Sequence, residues 1–168
     1  FVYARVMHFF VIACCFMFLF ISLFLDVFKW IFTHLANPRW VEGLEVVPLL
    51  ALGNIFLGIY YNLSVWYKLT DKNIYGAYIT IAGALITIVL NILLIPSLHY
   101  YGAAIATFCC YLFMMLLSYF FGKKHYPVPY AIKPLTGYLF LATLMWLTHR
   151  IVNVYFDQFW IAVSSGSM

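Results

Sequence analysis

Charge is what this sequence has least of. Nine of its 168 residues are Lys or Arg and five are Asp or Glu, so 8% are charged while 67% are apolar. A soluble domain of this length could not cover its surface with so few charges, which excludes the ordinary globular class and points to a membrane. The first apolar run has no small-residue cleavage site behind it, so it reads as a span and not as a signal peptide. The chain opens on Phe1, and a fragment of a longer protein is expected. Alternation with period two is missing, and an open sheet cannot leave its edges in lipid, so strands are not expected. Paired carboxylates, a nucleophile elbow and a phosphate loop are missing too, so neither an enzyme nor a cofactor is expected. His8, His34, His99, His125 and His149 are dispersed without ligand spacing, and no metal site is expected. The cysteines fall as adjacent pairs, Cys14 with Cys15 and Cys109 with Cys110. Neighbours on a helix point about 100° apart, so these read as small apolar packing residues.

What the chain does have is long apolar runs, each close to the ~20 residues that a bilayer core requires. Four of them, Met7 to Leu25, Val46 to Tyr67, Ala77 to Ile95 and Ala103 to Phe121, contain no Asp, Glu, Lys or Arg at all. A fifth, Tyr130 to Thr148, has Lys133 and Pro134 near its start, where the lysine would snorkel to the interface. Ile151 to Val163 is too short to span and holds Asp157, so it is either an interfacial piece or the start of a sixth helix. The expected fold is all-α: a polytopic transmembrane helix bundle of about five spans plus a partial sixth.

Lys and Arg mark the cytoplasmic side of such a bundle. With the N-terminus inside, Arg5, Lys68, Lys72, Lys123, Lys124 and Lys133 face the cytoplasm, against Lys29, Arg39 and Arg150 outside. Trp30 and Trp40 then mark the outer interface, and Trp66, Tyr67, Tyr126 and Tyr130 the inner one. Asn62, Leu63 and Ser64 match the glycosylation pattern but fall at the cytoplasmic membrane edge, so the match is discounted. On this topology Ser97 to Gly102, "SLHYYG", is a tight outer turn. Pro96 lacks a backbone donor and biases Ile95 away from the α region, which predicts that the third helix ends there.

Helical spacing gathers small and polar residues on single faces. Gly76, Thr80, Gly83, Thr87 and Asn91 recur at steps of four, three, four and four, and Asn54, Gly58 and Asn62 at steps of four. Gly102, Ala103, Ala104, Ala106 and Thr107 open the fourth span with residues that let backbones approach closely. Two roles fit these faces: helix packing, or lining a hydrophilic cavity in which Asn54, Asn62 and Asn91 reach substrate or water. The aromatic content, 21%, suits lipid-facing and interfacial positions, with carbohydrate stacking by Tyr60, Tyr61, Tyr100 or Tyr101 as an alternative.

Four short motifs carry a resemblance: Gly83 with Ala84, Leu90 with Asn91, Leu94 to Pro96, and "GAAIAT" from Gly102 to Thr107. Over Val46 to Tyr130, about half the chain, the sequence resembles the C-terminal half of bacterial polysaccharide biosynthesis flippases. These are the Wzx-like proteins of the multidrug/oligosaccharidyl-lipid/polysaccharide exporter superfamily. The common form of the turn in that family carries a glycine where this chain has "SLHYYG", a departure that puts the turn geometry in question. The resemblance implies two helical bundles around a central cavity, of which five spans make only the C-terminal one. Its other half would be the N-terminal bundle of the same full-length chain, in the bacterial inner membrane. The implied function is to move an undecaprenyl-pyrophosphate-linked oligosaccharide to the outer leaflet for O-antigen or other surface polysaccharide, alongside polysaccharide polymerase machinery. The partners are thus the lipid bilayer and this substrate, with no nucleic acid. Substrate contact is expected at Asn54, Asn62, Asn91, Lys68 and Lys123, and helix packing at Gly58, Gly83, Gly102, Ala103 and Thr107. A drug/cation antiporter or a lipid II flippase of the same superfamily is the alternative, and a non-transporting membrane scaffold is the alternative of another class.

Overall fold

The computed structural model describes residues 2–35, 43–125 and 132–164, and among them every regular element is helical. Arg39, Trp40, Tyr126 and Tyr130 lie outside the described residues, as does the side chain of Lys133. Helix α1 (Val2–Leu23) runs into α2 (Leu25–Leu35) with its hydrogen bonds nearly unbroken. The Phe24 N–H donates to Phe20 O at 3.1 Å, and the Phe28 N–H to Phe24 O at 3.2 Å. A single 3-10 turn (Leu44–Val46) then leads into α3 (Val47–Leu63), with Pro48 in its first turn, where a missing N–H costs nothing. The chain jogs at Ser64, which is fully buried and whose Oγ donates to Tyr61 O at 2.6 Å, then forms the short α4 (Val65–Leu69). Thr70 ends it by returning its hydroxyl to Trp66 O, 2.9 Å away. Asp71 takes a left-handed φ of 53° in the following turn, a conformation that aspartate tolerates.

The next element, α5 (Ile74–His125), folds back on itself. His99 breaks the helical path with φ 49° and ψ −125°, and the two arms on either side of it run antiparallel. The Cys110 thiol lies 3.3 Å from Gly83 O, and the rings of Tyr75 and Phe121 are 5.7 Å apart. The tight turn expected from "SLHYYG" is therefore present, but the expected stop at Pro96 is not: the helix continues through it to His99. A proline so near the end deprives the helix of one backbone bond with little left to disrupt, and membrane helices tolerate such losses.

His99 holds the backbone shape of the first central residue of a type II′ turn, which favours glycine because a Cβ is crowded at positive φ. The chain thus keeps a glycine-type turn while placing a histidine in it. Such strain typically costs about 1–3 kcal/mol, and His99 is exposed, with no side-chain hydrogen bond among the described residues. His99→Gly should stabilise the protein by about 1 kcal/mol, read as a higher melting midpoint in detergent; a lower midpoint would mean that the imidazole has a role of its own.

Helix α6 (Ile132–Ser164) is continuous for 33 residues. Residues 151–163 therefore extend the fifth span and do not begin a sixth. At 1.5 Å per residue α6 is about 50 Å long, well beyond the ~30 Å hydrocarbon core. The α1–α2 helix also outruns the core. It lies parallel to α6, with Phe18 against Trp146 at 6.3 Å between ring centroids and His8 against Tyr138 at 5.2 Å.

In cross-section the helices are ordered α5, α3, α1, α6. One core, centred on Val11, Phe18, Ile55, Ile59 and Leu135, joins α1, α3 and α6; a second, of Tyr60, Ile79, Cys110 and Met114, joins α3 to α5. The exterior is as apolar as the interior: Phe9, Phe16, Ile81, Leu85, Ile92 and Phe140 are all more than half exposed. Only lipid or further protein makes such a surface stable. By length and composition four helices can cross a bilayer, and the one folded at His99 supplies two arms. The protein is an all-α, multi-pass membrane bundle.

Candidate functional site

The three asparagines occupy different surroundings. Asn54 is exposed on α3 and borders a groove of about 340 Å³ walled by Cys14, Met17 and Ile21 of α1. Asn62 gives its amide to Gly58 O at 3.1 Å, one turn back on its own helix. Asn91 buries its side-chain oxygen with no hydrogen-bond partner. Among the described residues no hydrogen bond joins any two of them.

The threonines of the small-residue faces also turn inward on their own helices. Thr80 donates to Gly76 O, Thr87 to Gly83 O and Thr107 to Ala103 O, all at 2.8–2.9 Å. That leaves Asn91 as the polar group of its face whose acceptor is unmet, in a setting where an unpaired acceptor is costly.

The glycines are contact points. A Cβ at Gly58 would fall 2.4 Å from the Phe10 ring, at Gly83 2.7 Å from Met114 Sδ, and at Gly102 2.6 Å from both the carbonyl carbon and the oxygen of Leu94. Ala103 and Thr107 are only half-buried, whereas Ala104 and Ala106 are buried. The close contact expected at Ala103 is seen instead at Gly102, Ala104 and Ala106, which are the buried small residues of this arm.

Lys68 and Lys123 are exposed at the same end of the bundle, brought there by Trp66, whose ring lies against Gly122. Of the tyrosines considered for stacking, Tyr60 is buried with its hydroxyl 3.3 Å from that of Tyr67, and Tyr101 donates to a carboxylate oxygen of Glu45. Tyr61 and Tyr100 remain exposed.

At the opposite end, the outer one on the charge-derived topology, the structure assembles a polar pocket of about 240 Å³. Ser22, Asp26 and Lys29 enter from α1–α2, Glu45 from the turn before α3, and His149, Arg150 and Asn153 from α6. The Asn153 amide donates to an Asp26 carboxylate oxygen at 2.9 Å and sits 3.5 Å from His149 Nε2. Sequence reading took Lys29 and Arg150 as topology markers and His149 as one of the dispersed histidines, and did not join them into a site. The signal was spacing: 22, 26 and 29 on one helix, and 146, 149, 150 and 153 on another, each fall on a single face. That the two faces meet follows from the parallel packing of α1 and α6, which no local pattern announces.

No protein-family model, curated protein or solved structure matches the chain. What fold and site define is a class: a multi-pass α-helical membrane protein with a glycine-packed hairpin, basic residues at one end and a mixed-charge pocket at the other.

Proposed function

We propose that this chain is the C-terminal bundle of a translocator that moves lipid-linked oligosaccharide repeat units across the bacterial inner membrane for surface polysaccharide. The observation that carries this reading is the hairpin. Gly83 and Gly102, from the motifs behind the family resemblance, lie where a Cβ would collide with the opposing arm. A packing role alone would account for the glycines, but not for an asparagine whose oxygen is buried and unpaired between them in sequence. In this reading Asn91 belongs to the surface that meets substrate or water once the N-terminal bundle of the full-length chain completes a cavity. The substrate headgroup is too polar to cross hydrocarbon unaided, so such a cavity must replace its hydration. Rocking of one bundle against the other would expose it to each side in turn.

Lys68 and Lys123 suit capture of the pyrophosphate, because basic groups near the surface attract anions there by about 1 kcal/mol each. Lys68→Gln and Lys123→Gln, made singly in the full-length protein, should each lower polysaccharide output at limiting expression in a strain lacking its own flippase. Membrane abundance and labelled topology should stay normal. Full output from both variants would leave these lysines an orienting role only. Failure of the unaltered full-length protein to restore any output, when correctly inserted, would sink the translocation reading itself.

A further inference from the structure

We infer that the pocket at the outer end binds a zwitterionic phospholipid headgroup of the phosphoethanolamine kind. The pocket holds charges of both signs. Asp26 and Glu45 supply carboxylates, Lys29 an ammonium and Arg150 a guanidinium. These opposite charges share one space without pairing. Asp26 accepts from Asn153 and Glu45 from Tyr101, which leaves the side-chain cations of Lys29 and Arg150 without a hydrogen bond or ion pair among the described residues. A simple anion would be attracted by the cations and repelled by the carboxylates, and a simple cation the reverse. A ligand carrying a phosphate and an ammonium a few atoms apart satisfies both sets through charge-assisted bonds.

Two further observations point to a ligand at this depth. Ser22 lines the pocket, is 4% exposed and buries its hydroxyl oxygen without a hydrogen-bond partner. Such a group is costly to leave unmet, and a phosphate or glycerol oxygen would meet it. Ser22 also stands at the end of the apolar window Ala4–Leu23, with the charged residues one to two turns beyond it. That is where acyl chains give way to headgroups. The phosphate goes to Arg150 and Lys29, and the primary ammonium to Asp26 and Glu45. The inference stands apart from the translocation reading, because it uses only residues of this pocket.

The test is a thermal titration of the purified full-length protein in neutral detergent. The probes are dihexanoyl phosphatidylethanolamine, dihexanoyl phosphatidylglycerol, free phosphoethanolamine and methyl glucoside. The expected result is a saturable rise in melting midpoint with the ethanolamine lipid and a smaller or absent one with the glycerol lipid. Asp26→Asn and Arg150→Gln, on separate helices, should each abolish the rise relative to their own ligand-free midpoints, while Lys123→Gln at the other end keeps it. Free phosphoethanolamine acting as well as the lipid would support the same chemistry with a soluble source. No rise, an equal rise with phosphatidylglycerol, a rise with methyl glucoside alone, or a rise that survives in both pocket variants would overturn the assignment.

Discussion

Gly102→Ala is expected to destabilise the bundle by about 3 kcal/mol, more than alanine at any other glycine described. The reason lies in what the new methyl would meet. At Gly102 it falls on backbone, the Leu94 carbonyl and the Ile95 nitrogen, at 2.6 and 2.9 Å. These atoms belong to the opposing arm of the hairpin, and relief requires the arms to part just past the His99 reversal. At Gly83 and Gly58 the methyl meets Met114 and the Phe10 ring, side chains that can turn aside. At Gly137 it meets nothing within 4 Å, and alanine there should be neutral or mildly stabilising on helix propensity. The melting midpoint in detergent should therefore fall in the order Gly137→Ala, Gly83→Ala, Gly102→Ala. A Gly102→Ala protein that melts with the unaltered one would show that the arms are not packed this closely.

Asn91→Leu should separate stability from function. Leucine has the same number of side-chain heavy atoms as asparagine and the same branching at Cγ, so the shape is kept at the cost of somewhat more volume, while a buried acceptor without a partner disappears. Removing such a group from an apolar setting is worth about 1–3 kcal/mol, and the bundle should gain part of that. If Asn91 serves the proposed translocation, the same variant in the full-length protein should reduce polysaccharide output to background despite its greater stability. A protein that is more stable and still fully active would assign Asn91 no part in transport. A less stable one would show that its oxygen is paired in the membrane after all.

Much of this molecule was legible because lipid imposes simple demands. Apolar runs of about twenty residues must be helices, since every backbone group has to be satisfied within the segment. The all-α class and the return at "SLHYYG" followed from that requirement together with hydropathy. The stop at Pro96 misled because a missing N–H weakens a helix without obliging it to end, and the reversal came instead at His99. Small residues at helical spacing announced close packing, yet nothing local distinguished Ala103 from Ala104 and Ala106. That choice depends on which side of the arm faces its partner.

By itself, then, the sequence determined what the surrounding medium enforces: a membrane, helices and a sharp turn. Tertiary structure alone decided which polar groups meet. Asn62 turned back on its own helix, Asn54 faced a groove on α1, and Asn91 was left unpaired. Asp26 and Arg150, distant in sequence, entered one pocket because α1 and α6 run parallel past the end of the apolar core. Such meetings arise from interhelical contacts between residues far apart in the chain, and the periodicity of a single helix carries no information about its neighbour.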